Sequence, residues 1–275
     1  QAPLDVDIKY EKMSGGAQSS WISLPITSGA IDVTPTCDAI TDPCSSSLAY
    51  AYEKYIYKGI ITLPSRDSWK IWNDPIYARN ATTYGSIGAA GNWDDLCVLA
   101  NINNTTYLNS SPIFYSDPIS FLCIGGDCFF NGATDVDLDD LSYSLTQPKT
   151  NQGNNANMPY QSGATYLQPF PGSTTTCDPI TGDLCITTNL QGTSVTAIKV
   201  SESRNGTNLG YVTRDIQLWT RACNGASTTS SVTAVANTTF NSTSNSFSFC
   251  PDGNTNLTFD ITAVSTVNLE MLTSA

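Results

Sequence analysis

The chain has nine cysteines, 24 acidic residues and no histidine, so thiols and carboxylates are its main carriers of chemistry. The missing imidazole removes the Ser-His-Asp triad, the Cys-His pair, HExxH zinc sites and most general bases. GxSxG, Walker and GxGxxG patterns are also absent, which leaves acyl transfer, phosphate cradling and dinucleotide binding without support. Paired carboxylates remain as the means of glycoside hydrolysis. The four glutamates, Glu11, Glu53, Glu202 and Glu270, all fall in patterns that read as solvent-facing. Asp94 and Asp95 beside Trp93 form the most site-like pair, because an aromatic platform next to carboxylates suits a sugar. Asp135, Asp137, Asp139 and Asp140 (DVDLDD) suit calcium, since strand alternation sets three carboxylates on one face. The EF-hand pattern is not met, and an acidic edge strand explains the same run. No catalytic residue, metal or cofactor is expected, and the chain reads as a non-enzyme.

The cysteines carry a repeat. Thr36-Cys37-Asp38-Ala39-Ile40-Thr41 returns as Thr176-Cys177-Asp178-Pro179-Ile180-Thr181, each closed by a further cysteine, Cys44 and Cys185. Cys97 and Cys123 then match Cys223 and Cys250, with Asn-Thr-Thr-aromatic inside both intervals, at Asn104 and at Asn237. The simplest pairing is Cys37–Cys44, Cys97–Cys123, Cys177–Cys185 and Cys223–Cys250, although four cysteines allow three connectivities in each half. Cys128 has no counterpart and is expected to be unpaired or bonded to a neighbouring molecule; a Cys97–Cys128 bond is the alternative. Nine cysteines without histidine point to an oxidising, extracellular or cell-surface setting rather than to zinc.

Eight N-glycosylation sequons stand at Asn80, Asn103, Asn104, Asn109, Asn205, Asn237, Asn241 and Asn256, and those in the matching intervals of both halves are expected to carry covalent glycans. A net charge of −12 speaks against nucleic acid and anionic lipid as partners. The most apolar stretch, Ile56 to Leu63, is broken by Lys58 and Gly59, and no membrane span is expected. The chain opens on Gln1, and the expectation is a mature product from which a leader has been removed.

The elements that must position these groups are strands. Ser, Thr and Asn abound, only 13% of residues are charged, and apolar/polar alternation recurs at Leu4–Tyr10, from Val195 onward, at Val212–Trp219 and at Phe247–Cys250. Turn signals at Ser28-Gly29, Gly125-Gly126, Asn205-Gly206 and Asp252-Gly253 separate them. Short helices fit only around Ser47–Tyr55 or Asp94–Leu99. The expected fold is all-β: two tandem immunoglobulin-like β-sandwiches at 21–147 and 160–275, joined by a linker at 148–159 and preceded by an extended strand at 1–20. The first copy is longer by an insertion at Ser65–Trp93 that holds Trp69, Trp72 and Trp93.

Ala2 to Met13 alternates almost without error and lies outside the repeat. It reads either as an edge strand or as a donor strand whose Leu4, Val6, Ile8 and Tyr10 fill the groove of the next subunit, a heterologous contact that propagates a filament. With its disulfide-bonded, sequon-rich β domains the chain resembles, in layout, the subunits of extracellular filaments, pilin-like and thread-like proteins joined by strand exchange. That resemblance implies a passive structural role with identical subunits as partners. The alternatives are a monomeric adhesin or glycan-binding module using the tryptophan-rich insertion, and a carboxylate-dependent glycosidase using Asp94 and Asp95.

Overall fold

The computed structural model describes residues 3–14, 20–32, 53–63, 66–73, 96–150, 155–161 and 163–222, together with strands at 229–233, 238–241, 246–249 and 260–264. The chain is all-β with mainly antiparallel sheets, and the described residues contain no helix. Two compact units are present: Gln1–Pro35 with Tyr52–Cys223, and Thr36–Ala51 with Asn224–Ala275. In the second, β15 (Thr229–Thr233) pairs with β18 (Asp260–Val264), and β16 (Thr238–Asn241) with β17 (Ser246–Phe249).

The first unit is built on a nine-stranded sheet. Its strands are β1 (Asp5–Lys12), β2 (Ser20–Asp32), β3 (Glu53–Tyr57), β4 (Ser68–Asn73), β5 (Leu99–Asn103), β7 (Ile119–Cys123), β10 (Asp140–Thr146), β13 (Gly192–Arg204) and β14 (Thr207–Arg221), in the order β10-β13-β14-β5-β4-β1-β2-β3. The long β14 forks: Gly210–Val212 pairs with β5, whereas Gln217–Arg221 pairs with β7 in a parallel ladder. A three-stranded sheet, β11 (Thr174–Cys177), β12 (Leu184–Thr187) and β8 (Asp127–Phe129), and a two-stranded pair, β6 (Ile113–Phe114) and β9 (Ala133–Thr134), complete the unit.

This arrangement departs from two tandem sandwiches split at 148–159. β10, before that boundary, pairs with β13, after it, along seven residues from Asp140↔Ser203 to Thr146↔Ala197. The stretch expected to be a linker folds back on itself: Thr150 N donates to Ala156 O, Met158 N to Pro148 O and Gln147 Nε2 to Met158 O. Met158 is fully buried against Val195 and Tyr160. One buried methionine among polar neighbours holds this pairing, which is why composition alone reads as linker. The helical expectation also fails where it can be followed, since Glu53–Tyr57 is β3 and Leu99 opens β5; Tyr55, Ile56 and Tyr57, rich in β-formers, outweigh the preceding alanines. Ser28-Gly29 sits inside β2, where the register to β3 shifts on either side of Ser28, rather than in a turn. Asn205-Gly206 does turn the β13–β14 hairpin, with φ of 51° and 76°, as a two-residue connection with left-handed residues requires.

The core follows from period-two alternation. Ile198 and Val200 on β13, and Val212, Ile216 and Leu218 on β14, share one face. Leu184 and Ile186 of β12, Leu122 of β7, Tyr143 of β10 and Phe170 pack on that face. The same face continues along the sheet through Ala100 of β5, Ile71 of β4 and Tyr10 of β1.

Candidate functional site

The cysteines pair differently from the expectation. Cys128, expected to be the odd one, is bonded to Cys185. Neither Cys177 with Cys185 nor Cys97 with Cys123 forms: Cys97 and Cys177 are thiols, and Cys123 is bonded to a cysteine other than Cys97. Register explains the choice. Cys185 stands directly opposite Cys128 on β8, whereas Cys177 stands opposite Leu184, one position off, and so points to the other face. Burial, with Asp178 and Asp183 nearby, raises the Cys177 thiol to about 11, so it stays protonated and poorly nucleophilic at neutral pH. Cys97 is buried, and its Sγ accepts a hydrogen bond from Asn155 Nδ2 at 3.1 Å. Cys37, Cys44, Cys223 and Cys250 lie outside the described residues.

Asn80, Asn237 and Asn256 also lie outside them, as do Trp93, Asp94 and Asp95; Asn241 ends β16. Asn205 is exposed at its hairpin turn. Asn103 Oδ1 accepts from both the amide and the hydroxyl of Thr105. Asn104 is used within the fold: its Oδ1 accepts from Asp67 N at 2.8 Å, and its own amide donates to Asp67 O. Asn109 is engaged as well, donating from Nδ2 to Glu202 Oε1 at 2.6 Å.

The N-terminal strand is neither a loose arm nor an edge. β1 is an interior strand, antiparallel to β2 from Asp5↔Pro25 to Tyr10↔Ser20 and to β4 from Ile8↔Asn73 to Lys12↔Trp69. Asp67 ties down its end: Ser14 Oγ donates to it, Lys12 Nζ lies at 3.0 Å, and Met13 N donates to Ser68 O. Of the four expected donor side chains, Val6, Ile8 and Tyr10 are half-buried and Leu4 is 79% exposed. The described part of the tryptophan-rich insertion, 66–73, contains the strand β4. Trp69 and Trp72 are three apart on β4 and therefore face opposite ways; Trp69 is buried near the Tyr10 ring, while Trp72 lies under Lys70 Nζ at 4.8 Å. On the Trp72 side, Lys9 sits in register between Trp72 and the exposed Trp21.

The densest chemistry gathers where β13 ends. Asp135, Asp139 and Glu202 are all buried, and one carboxylate oxygen from each lies within 4.8 Å of the others. Glu202, read from sequence as solvent-facing, has no exposed surface. It stands opposite Gly210, just before the bulge between Glu202 and Ser203, and a Cβ at Gly210 would come within 2.8 Å of its Oε1. The turn after β9 is shaped by Asp135, whose Oδ1 accepts from Asp137 N at 2.8 Å and Asp139 N at 3.2 Å, with Leu138 left-handed. Arg204 clamps Asp139 through Nε and an Nη at 2.6 and 2.9 Å and lies across the Tyr107 ring. Asp137 Oδ2 accepts from Ser110 N. Burial pushes the Glu202 carboxyl up to about 7; the Asn109 hydrogen bond opposes the shift, and the Asp135, Asp139 and Asp137 charges add to it.

Two of these acids belong to the DVDLDD run that the sequence flags; Glu202 and Asn109 do not. The missed signal was the alternation Ile198, Val200, Glu202, which places the glutamate on the core face. An all-oxygen set of this kind suits a hard cation.

Fold and site thus define a class, an all-β protein with a disulfide-bonded small sheet over one end of a large one and a buried carboxylate cluster. No protein-family model, curated protein or solved structure matches the chain, so no family stands behind that class.

Proposed function

We propose that this chain is a structural subunit of an extracellular, glycosylated filament or surface assembly, in which identical copies join by exchanging the N-terminal strand, and that it has no catalytic role. The observation that carries this reading is the apolar face of β1 and β2. Val6, Ile8, Ile22 and Leu24 share one side of the sheet, yet none of the residues of β1, β2 or β3 whose burial is described reaches full burial. A face of that kind is stabilised by a second copy. Exchange suits it, because a β1 supplied in trans keeps every pairing that β1 makes in cis and alters only the connection to β2. The test is electron microscopy of the native protein beside an Asp7→Cys/Ser23→Cys variant, whose new disulfide bridges a register pair and locks β1 to its own β2. Regular filaments in wild type and dispersed particles in the locked variant are expected. Dispersed wild-type particles overturn self-association, and filaments in the locked variant overturn strand exchange.

A second reading, a glycan-binding module, has one observation in its favour: Trp21 and Trp72 flank Lys9 on the polar side of the sheet. Aromatic faces beside a cation suit sugar stacking. Dispersed particles that bind a glycan array, with binding lost in Trp21→Ala, would favour it.

A further inference from the structure

We propose that Asp135, Glu202 and Asn109, backed by Asp139 and Arg204, form a binding site for one calcium-like divalent cation. Three oxygens there are buried and make no hydrogen bond: Asp135 Oδ2, Glu202 Oε2 and Asn109 Oδ1. A buried polar atom left without a partner costs about 1–3 kcal/mol, more if charged, so three in one place mark a spot shaped for something else. Two of them belong to side chains with at most 6% exposure, which makes solvent a poor substitute.

Geometry and charge agree on what that ligand is. Calcium sits about 2.3–2.6 Å from its oxygens, and carboxylate oxygens within 4.8 Å of one another can be touched by a single such ion. The carboxylates of Asp135, Asp139 and Glu202, with Asp137 beside them, outnumber the single guanidinium of Arg204, which leaves negative charge for a divalent cation to balance. No imidazole or thiolate stands in the cluster, which argues against zinc and copper. The residues that do not bind the ion hold those that do. Asp137 N and Asp139 N occupy Asp135 Oδ1 and leave Oδ2 for the ion, and Arg204 occupies both oxygens of Asp139. The ion would join the loop at 107–110, the turn at 135–139 and the end of β13. The site is independent of how copies assemble.

The experiment uses the whole chain, stripped of metal with EDTA and dialysed at pH 7.5. Saturating calcium is expected to raise Tm by roughly 5–10 °C. Terbium should bind one to one with luminescence sensitised by Tyr107, and calcium should displace it. Glu202→Gln and Asp135→Asn should lose both responses, whereas Asp5→Asn, on the exposed start of β1, should keep both. Terbium luminescence reads the wild-type protein directly, so a variant that fails to fold does not decide the matter. Absence of both responses in wild type overturns the site, as does unchanged calcium binding in a folded Glu202→Gln protein. An equal Tm rise with magnesium at the same concentration overturns the calcium assignment.

Discussion

The two ends of the nine-stranded sheet carry the same pattern and meet different fates. At the β10-β13-β14 end, alternate residues Ile198, Val200, Ile216 and Leu218 have no exposed surface, because β12 lays Leu184 and Ile186 on them. At the β1-β2-β3 end, Val6, Ile8, Ile22 and Leu24 alternate just as regularly and stay half-buried. Alternation therefore states which side of a strand seeks cover; it does not state whether the fold supplies any. Cover depends on a second sheet staying intact, and here the Cys128–Cys185 bond fastens β8 to its neighbour β12 within that sheet.

Truncation gives the largest separation of the two ends. Ile198→Ala or Leu218→Ala removes a side chain with no exposed surface and should cost about 2–5 kcal/mol in denaturant unfolding, transfer loss plus cavity. Ile8→Ala, on the same face but half-covered, should cost roughly 1 kcal/mol in the dispersed protein. Equal losses at Ile8 and Ile198 would show that the β1 wing is covered after all.

Removing the tie comes next. The bond closes a sequence separation of 57 residues, for which the chain-entropy model gives about 4 kcal/mol, with measured values commonly 2–4. A Cys128→Ser/Cys185→Ser variant should lose about that much stability. Amide exchange should quicken on β8 and β12 while β1 and β4 hold their rates. Equal acceleration at both ends would mean that the sheet opens as one unit, and the contrast would then be one of packing alone.

What the sequence revealed follows the same division. Strand positions were legible at β1, β13 and β14, where the period is two and turn residues such as Asn205-Gly206 intervene. Local pattern could not report that β14 is long enough to serve β5 with one half and β7 with the other, a fork that joins the β10–β13 pairing in bringing the two expected halves into one sheet. Cysteine order failed for a related reason. Cys177 and Cys185 are near in sequence, but register turns them to opposite faces, while Cys128 reaches Cys185 across 57 positions. The carboxylate site was half legible. Acid spacing in DVDLDD flagged Asp135 and Asp139, whereas Glu202 had to be found from its place in an apolar alternation.

The smallest effect tests what holds the wing at all. Asp67 joins β1 to β4: the Ser14 hydroxyl first, then Lys12 and the Ser68 amide, hold its carboxyl down to about 2, with partial burial working the other way. A carboxyl whose pKa is lower folded than unfolded binds fewer protons in the native state, so its contribution is present above the unfolded value near 3.8 and fades as pH falls toward 2. Thermal midpoints measured from pH 5 to pH 2 should therefore fall less steeply for Asp67→Asn than for wild type, starting slightly lower at pH 5. The Met13 amide, which donates to Ser68 O, should lose protection in the variant while amides of β13 keep theirs. Loss at β13 as well would mean that Asp67 supports the whole sheet; loss confined to Met13 and its neighbours would make it the latch on β1. Strand exchange between copies must open that latch, so in the second case acid and Asp67→Asn should both speed assembly, and in the first they should unfold the subunit instead.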